Sequence, residues 1–163
     1  MSNKDSSIQR VQFELNSLGI NTEIKELPTS TRTAPDAARA VGCQVGQIVK
    51  SLVFQGVTSQ KPLIILTSGS NQVDEALVSE TTGEIILFAP AHYVREETGF
   101  AIGGVSPFGL KKIITTYIDE DLLQYPLIWA AAGSPQAVFC IQPDSLVKAT
   151  GGKVITVHPK IKE

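Results

Sequence analysis

Four glycines fall within the eleven residues from Gly99 to Gly109, and this stretch limits the possible folds more than any other. That density excludes a regular helix or strand, because glycine loses the most backbone freedom in either. Pro107 fixes one dihedral angle and directs Ser106 toward an extended backbone. The remaining residues of the stretch are apolar: Phe100, Ala101, Ile102, Val105 and Phe108. The pattern predicts a glycine loop anchored in the core, with free backbone N–H groups beside a cleft. A buried connector that binds no ligand fits the same pattern equally well.

The size and composition of the protein predict one globular domain covering residues 1–163. Hydrophobic residues make up 42% and charged residues 18%, which is typical of a compact protein with a sizeable core. No apolar run approaches ~18 residues, so no membrane span is predicted. The first residues lack the apolar core of a signal peptide, which predicts a cytoplasmic protein. The net charge of −2 predicts no general nucleic-acid-binding surface, so a nucleic acid would need a local patch.

Apolar periodicity and turn residues predict about seven strands and four or five helices. A strong strand is predicted at 47–54 and a shorter one at 22–27. Thr33 is predicted to cap a helix that has Pro35 in its first turn and ends near Gly42. Short connections between neighbouring strands indicate antiparallel pairs. The predicted fold class is therefore α+β, with a curved, mixed, mostly antiparallel sheet surrounded by helices.

One lysine is out of place in the predicted strand 47–54. Side chains alternate across a strand, so Lys50 shares a face with the apolar Leu52 and Phe54. One interpretation is that Lys50 lies at the strand start and extends its ammonium to water. The other is that the ammonium points into a pocket and binds an anion.

Several common catalytic chemistries are not supported by the sequence. The two histidines, His92 and His158, have no metal-ligand spacing and are predicted on the surface. Cys140 is predicted in the core, and a pairing of Cys43 with a histidine stays open. The acidic run 119–121 is predicted to be a solvated turn. No metal and no cofactor is therefore predicted, and the lysine and the glycine loop are left to bind an anionic or ester substrate.

Four motifs in order resemble the YbaK/EbsC family, whose members are free-standing relatives of the editing domain of bacterial prolyl-tRNA synthetase. The motifs are Thr33-Ala-x-x-Ala-Ala, Gln47-Ile-Val-Lys-Ser-Leu-Val-Phe, Gly103-Gly-Val-Ser-Pro-Phe-Gly and Ala132-Gly-Ser-Pro. The similarity extends from about Ile8 to Val157. It implies the fold of that editing domain and the activity of an aminoacyl-tRNA deacylase.

The resemblance also implies roles for individual residues. Lys50 matches the family lysine that holds the tRNA 3′ end near the ester. Gly103 and Pro107 match the ends of the family G-x-x-x-P loop. The residues implied to bind substrate are Arg32, Thr33, Gly103, Gly104, Val105, Ser106, Pro107, Gly133 and Ser134. The family chemistry implies no protein base, because a ribose hydroxyl of the substrate or a positioned water does that work.

The implied function is proofreading in trans: hydrolysis of the ester that joins a small, wrong amino acid to tRNA. The implied partners are the 3′ end of aminoacyl-tRNA and a synthetase such as prolyl-tRNA synthetase. The strand 22–27 lacks the aromatic or histidine that some relatives carry there. Alanine, cysteine, serine and proline esters therefore all stay open. The alternative is a non-catalytic module that binds a nucleotide, an aminoacyl-adenylate or a partner synthetase.

Overall fold

The computed structural model of the protein describes residues 3–28 and 33–159. Within those ranges the helices and strands do not alternate regularly along the sequence. The α-helices are α1 (Asn3–Ser17), α2 (Ala34–Val41), α3 (Glu75–Thr82), α4 (Ala91–Thr98) and α5 (Pro143–Thr150). Two 3₁₀ segments cover Val45–Gln47 and Glu120–Gln124. The strands are β1 (Lys25–Glu26), β2 (Val49–Gly56), β3 (Pro62–Ser68), β4 (Ile86–Phe88), β5 (Thr115–Asp119), β6 (Ile128–Ala131), β7 (Ala137–Ile141) and β8 (Lys153–Ile155).

The strands form two sheets. The first has the order β1-β7-β6 and is antiparallel throughout. The second has the order β4-β2-β3-β5-β8, in which β2 runs antiparallel to β3 and β4, while β3–β5 and β5–β8 are parallel. The predicted α+β fold with a mixed, mostly antiparallel arrangement is confirmed. The strand predicted at 22–27 shortens to Lys25–Glu26, the two residues that pair with β7.

The largest core cluster contains residues of both sheets, α1 and the glycine stretch. Phe100, Val105 and Phe108 are almost fully buried in it, so the predicted anchoring of the stretch is confirmed. Phe108 contacts Phe139 of β7, with ring centroids 5.8 Å apart. Burial of several aromatic side chains is a large apolar contribution to folding. The glycine stretch is therefore held in place by its own apolar residues.

Helix α1 holds both ends of the glycine stretch. Arg10 donates from Nη2 to the carbonyl of Gly99 at 2.8 Å, and its guanidinium lies 4.8 Å from the centroid of Phe100. The N–H of Gly109 donates to the carboxylate of Glu14. Gly109 has a φ of +76°, and a Cβ there would lie 3.0 Å from the backbone nitrogen of Val11. Glycine is needed at this position both for its backbone conformation and for the close approach of α1.

Helix α2 begins and ends where the sequence predicts. Thr33 Oγ1 accepts a hydrogen bond from the N–H of Asp36 at 3.2 Å, which caps the helix. Gly42 ends it in the left-handed conformation, with a φ of +78°. Among the helices of the described ranges, none combines the length and the apolar character needed to cross a bilayer.

Candidate active site

One edge of β2 has no neighbouring strand over part of its length. The ladder with β4 begins only at Phe54, and Ile48 forms a single bridge to Trp129 of β6. Between those two points, residues 49–53 pair only with β3 among the strands that the structure describes. We call residues 49–53 the open edge.

Alternate residues of a strand direct their backbone groups to opposite edges. The carbonyl of Ile48 accepts from Gly69 on the β3 side, whereas the carbonyl of Val53 accepts from Ala89 on the other side. Positions 49, 51 and 53 therefore direct their N–H and C=O groups toward the open edge. At the middle position, Ser51, these groups face a space that no described strand fills.

A cavity of about 420 Å³ lies along the open edge. Its volume suits a small organic group, and its wall is mainly apolar. Its lining residues come from α2, β2, β4, α4, the glycine stretch and the β6–β7 hairpin: Thr33, Ala34, Ala37, Ile48, Val49, Lys50, Ser51, Leu52, Val53, Phe88, Ala89, Val94, Ile102, Gly103, Val105, Trp129, Ala130, Ala131, Pro135 and Val138. No histidine, cysteine, aspartate or glutamate is among them.

Lys50 lines this cavity and is half-buried. Its Nζ donates to the backbone carbonyl of Asn71 at 2.6 Å. Burial lowers the pKa of Lys50, and the nearby carboxylate of Asp119 partly opposes that shift. The ammonium is therefore held by a neutral acceptor, which an anionic ligand could replace.

Asn71 is fixed in turn by two aspartates. Its Nδ2 donates to Oδ2 of Asp119 and to Oδ2 of Asp121, both at 2.8 Å. Asp119 also accepts from the N–H groups of Ser68 and Asp121, both at 2.9 Å. We call Lys50, Asn71, Asp119 and Asp121, with the N–H of Ser68, the aspartate network.

The aspartate network corrects one prediction. A solvated turn is wrong for Asp119, because this carboxylate is fully buried and accepts three hydrogen bonds. The sequence shows the acidic run but not the donors Ser68 and Asn71, which come from the end of β3 and the turn after it. His158 lies near the network, with Nε2 3.5 Å from Oδ2 of Asp121, and its side chain is 37% exposed.

Two members of the G-x-x-x-P loop, Gly103 and Val105, line the cavity. Their N–H groups have no partner among the described residues, which leaves them available as donors. The N–H of Gly104 is already used, because it donates to the carbonyl of Ala101 at 2.9 Å. Gly104 instead provides a close contact: a Cβ there would lie 2.9 Å from Cα of Ser134.

The other predicted site residues lie behind the cavity wall. Ser106 is fully buried, and its Oγ accepts from the N–H of Phe108 at 3.1 Å. Ser134 is buried, and its Oγ accepts from Gln136 at 3.4 Å. Gly133 packs against the backbone of Ser7 in α1. These residues and Pro107 are absent from the cavity lining, although they shape the loops that form it. Arg32 lies outside the described residues.

Sequence reasoning did not single out several lining residues. Phe88 and Ile102 line the cavity although they are 56% and 57% exposed, so they form part of its rim. Trp129 also lines it and lies 5.3 Å from the Nζ of Lys25. Ser51 follows Lys50 directly, but strand alternation puts the two on opposite faces. Its place on the cavity wall, at the open edge of β2, makes it a candidate site residue.

The described residues contain no cluster of three metal-ligating side chains. Cys43 and Cys140 are both half-buried free thiols, and neither lines the cavity. Burial raises the pKa of both thiols, which disfavours the reactive thiolate.

Comparison with known proteins identifies the class. The family model of the aminoacyl-tRNA editing domain matches residues 29–149, and the protein belongs to that family. It is 29% identical over 148 residues to the uncharacterised protein YwhH of Bacillus subtilis, a match that spans 91% of this sequence and 94% of the relative.

Two further similarities concern proteins with named activities. The protein is 26% identical to the "Putative Cys-tRNA(Pro)/Cys-tRNA(Cys) deacylase EbsC" of Enterococcus faecalis, a match that spans 78% of each. A crystal structure of a "putative trans-editing enzyme for prolyl tRNA synthetase" superimposes with a TM-score of 0.89 and 45% identity. That similarity spans 94% of this protein and 98% of the other. The expected relationship to YbaK/EbsC proteins is confirmed.

Proposed function

We propose that this protein is a trans-acting deacylase that hydrolyses the ester between a small, wrongly attached amino acid and the terminal ribose of a tRNA. The observation that carries the proposal is a mainly apolar cavity lined by Lys50 and by Gly103 and Val105, whose N–H groups have no partner among the described residues. The family assignment and the named relatives support the same activity.

Lys50 would hold the 3′ end of the tRNA. On binding, its ammonium exchanges the carbonyl of Asn71 for a phosphate or ribose oxygen of the substrate. Because the ammonium is half-buried, its bond to an anion is less screened than a surface contact would be. Gly103 and Val105 supply N–H groups near the scissile carbonyl.

A water molecule would then attack the carbonyl carbon of the ester. The carbonyl oxygen becomes an oxyanion that the loop N–H groups stabilise, and one such donor contributes ~3 kcal/mol in comparable sites. The bond to the ribose oxygen breaks, and that oxygen leaves with a proton. Among the described residues, the lining contains no histidine, aspartate or glutamate, and Lys50 is assigned to holding the tRNA, so a neighbouring ribose hydroxyl of the substrate moves the proton from the water.

Selectivity would come from size. The cavity wall is built from small and branched apolar side chains such as Ala37, Val53 and Ala130. A longer amino acid is excluded by contact, although one methylene provides only ~1–3 kcal/mol of discrimination. Esters of alanine, cysteine, serine and proline are the candidate substrates.

The place of action would be the cytoplasm, where aminoacyl-tRNA is used. A synthetase such as prolyl-tRNA synthetase is the proposed partner, because a protein of net charge −2 offers little general attraction for tRNA. Co-purification with the synthetase at low salt tests this partnership. Separation of the two proteins at low salt, with tRNA present, contradicts it.

The test of the activity is deacylation of a panel of alanyl-, cysteinyl-, seryl- and prolyl-tRNAs by the wild-type protein and by Lys50→Ala. We expect turnover of at least one ester, with a large loss in the variant. Absence of turnover for every ester contradicts the proposal. Binding of a non-hydrolysable 3′-end analogue without any turnover would instead support the non-catalytic alternative.

A further inference from the structure

Ser51 carries an unusual buried atom. Only two buried side-chain polar atoms in the described ranges lack a hydrogen-bond partner, Ser51 Oγ and Glu97 Oε2. Glu97 Oε2 is nevertheless paired in charge, because it contacts the ammonium of Lys112. Of these two atoms, only the hydroxyl of Ser51 is left with neither a hydrogen-bond partner nor a charge partner in the described ranges.

The surroundings of this hydroxyl give it no internal partner. Ser51 shares a strand face with Val49 and Val53, and both of these belong to the main core cluster and line the cavity. Buried polar atoms are paired in the great majority of native structures, so an unpaired one calls for a physical explanation. Ser51 lines the adjoining cavity, so a ligand bound there is a candidate partner once the hydroxyl rotates toward it.

Ser51 also lies at the centre of the open edge. Its backbone carbonyl and amide are directed to the side where β2 has no neighbouring strand. Hydroxyl oxygen and backbone carbonyl are both acceptors, and the hydroxyl can rotate to donate or accept. One residue therefore presents two neutral acceptors beside an apolar cavity.

An aminoacyl group brings a matching set of donors. Its α-ammonium or amine carries up to three N–H bonds directly beside the ester. Among the residues that the structure describes, the cavity lining contains no carboxylate that could accept them. The neutral acceptors on the wall formed by β2 include the hydroxyl and the carbonyl of Ser51, and only Ser51 adds a side-chain acceptor to its backbone one at the open edge.

We propose that Ser51 is the substrate-binding residue that recognises the α-amino group of the aminoacyl ester, through its Oγ and its backbone carbonyl. This inference rests on the proposed function and names a contact within that site. It makes the open edge a recognition element for amino acids, whatever their side chains. The side chain is then selected by the apolar remainder of the cavity.

The test compares two non-hydrolysable ligands, 3′-alanylamido-adenosine and 3′-propionamido-adenosine, which differ only in the α-amino group. We expect Ser51→Ala to weaken binding of the alanyl ligand about 10- to 100-fold, as for a hydrogen bond to a charged group. Binding of the propionyl ligand should change less than about twofold. Ser51→Thr keeps the hydroxyl and should retain the preference for the alanyl ligand. Isothermal titration calorimetry measures the Kd of each ligand for the wild-type protein and for both Ser51 variants.

Thermal unfolding distinguishes a binding role of Ser51 from a purely structural one, with a second serine as the matched control. Ser79 Oγ accepts from the N–H of Ile86 at 3.2 Å, away from the cavity. Ser79→Ala should lower the Tm and leave binding unchanged. Ser51→Ala should keep or raise the Tm, because it removes a buried unpaired group.

Two results overturn the inference. In the first, Ser51→Ala weakens the binding of both ligands by the same factor, or weakens the binding of neither. In the second, the wild-type protein binds the alanyl and the propionyl ligand with the same affinity. Either can occur in a protein that still deacylates tRNA, so the proposed function would survive. Conversely, a protein that prefers the alanyl ligand but hydrolyses no aminoacyl-tRNA loses the proposed activity while the role of Ser51 in binding stands.

Discussion

Among the described residues, buried polar groups are fully hydrogen-bonded on one side of β2 and left unpaired on the other. On the β3 side, the aspartate network buries a carboxylate and satisfies it with three hydrogen bonds. On the other side, the open edge buries the hydroxyl of Ser51 with no partner among the described residues. A fully paired buried network stabilises one structure, whereas a buried group left unpaired costs stability. This contrast indicates that the first region maintains the fold, whereas the second is the side proposed to bind a ligand.

Lys50 belongs to both regions. Lys50 is one of the residues that line the cavity, and its ammonium donates to the carbonyl of Asn71 in the aspartate network. The same network that holds the fold therefore also sets where the lysine rests before substrate binds. The following predictions test this division between a structural side and a binding side.

The largest effect is expected for Asp119→Ala. It leaves the donors of Ser68, Asn71 and Asp121 without their acceptor. At ~1 kcal/mol or more for each donor, the free energy of unfolding should fall by about 3 kcal/mol. For a protein of this size that lowers the Tm by roughly 6–12 °C, measured by calorimetry.

The control for that variant is Asp121→Ala. Asp121 is half-buried and accepts one side-chain hydrogen bond from Asn71, and water can reach its carboxylate more easily than it can reach the fully buried Asp119. Its loss of stability should be clearly smaller. Equal losses for the two variants would contradict the view that the buried carboxylate organises this side of β2.

The next largest effect is expected for Lys50→Met. Methionine keeps much of the length of the side chain and removes the charge, so kcat/KM for the best aminoacyl-tRNA should fall about 30- to 100-fold. Stability should hold or rise: burial lowers the pKa of Lys50, so its charged form is disfavoured in the folded state at neutral pH. Steady-state kinetics and a Tm measurement test both expectations. A large fall in Tm with an unchanged kcat/KM would mean that Lys50 stabilises the fold and does not bind the substrate.

A smaller effect is expected for Phe88→Ala. The ring packs on Phe54, with centroids 4.3 Å apart, and lies at the cavity rim, where it could stack on the terminal adenine of the tRNA. Stacking of a base on an aromatic ring contributes ~1–3 kcal/mol, so KM should rise about 10-fold. Leu87→Ala is the matched control, since Leu87 is equally exposed on β4 but does not line the cavity. A similar rise in KM for both variants argues against stacking.

The smallest effect is expected for Thr33→Ala. The Thr33 hydroxyl lies at the cavity but is already paired as the cap of α2. Its loss should reduce the free energy of unfolding by about 1 kcal/mol, and Thr33→Asn should restore most of it. Denaturant unfolding measures both variants. An unchanged free energy of unfolding in Thr33→Ala would show that the cap contributes nothing. It would contradict the view that the paired polar groups stabilise the fold.

Local signals in the sequence predicted much of the fold. The glycine stretch, the α2 caps and the long strand through Lys50 are each specified by neighbouring residues, through backbone preference and alternation. Lys50, Gly103 and Val105 were expected at one site, and all three line the same cavity. The role of each in catalysis stays a prediction.

Other features depend on residues far apart in the sequence. The burial of Asp119 depends on donors from Ser68 and Asn71, about fifty positions earlier. The division of the strands into two sheets depends on which edges meet, and no local pattern encodes that. The carbonyl that holds the Lys50 ammonium comes from Asn71, after the next strand.

Dihedral preference and the spacing of apolar side chains were enough to predict most of the helices, the strands and the glycine loop. The uncovered middle of β2, between β4 and β6, emerges only in the folded protein. A hydrogen-bonding edge is open or closed according to what packs beside it, and those neighbours come from distant parts of the sequence. Ser51 is an ordinary strand serine in the sequence, and only the folded structure shows its buried hydroxyl without a partner among the described residues.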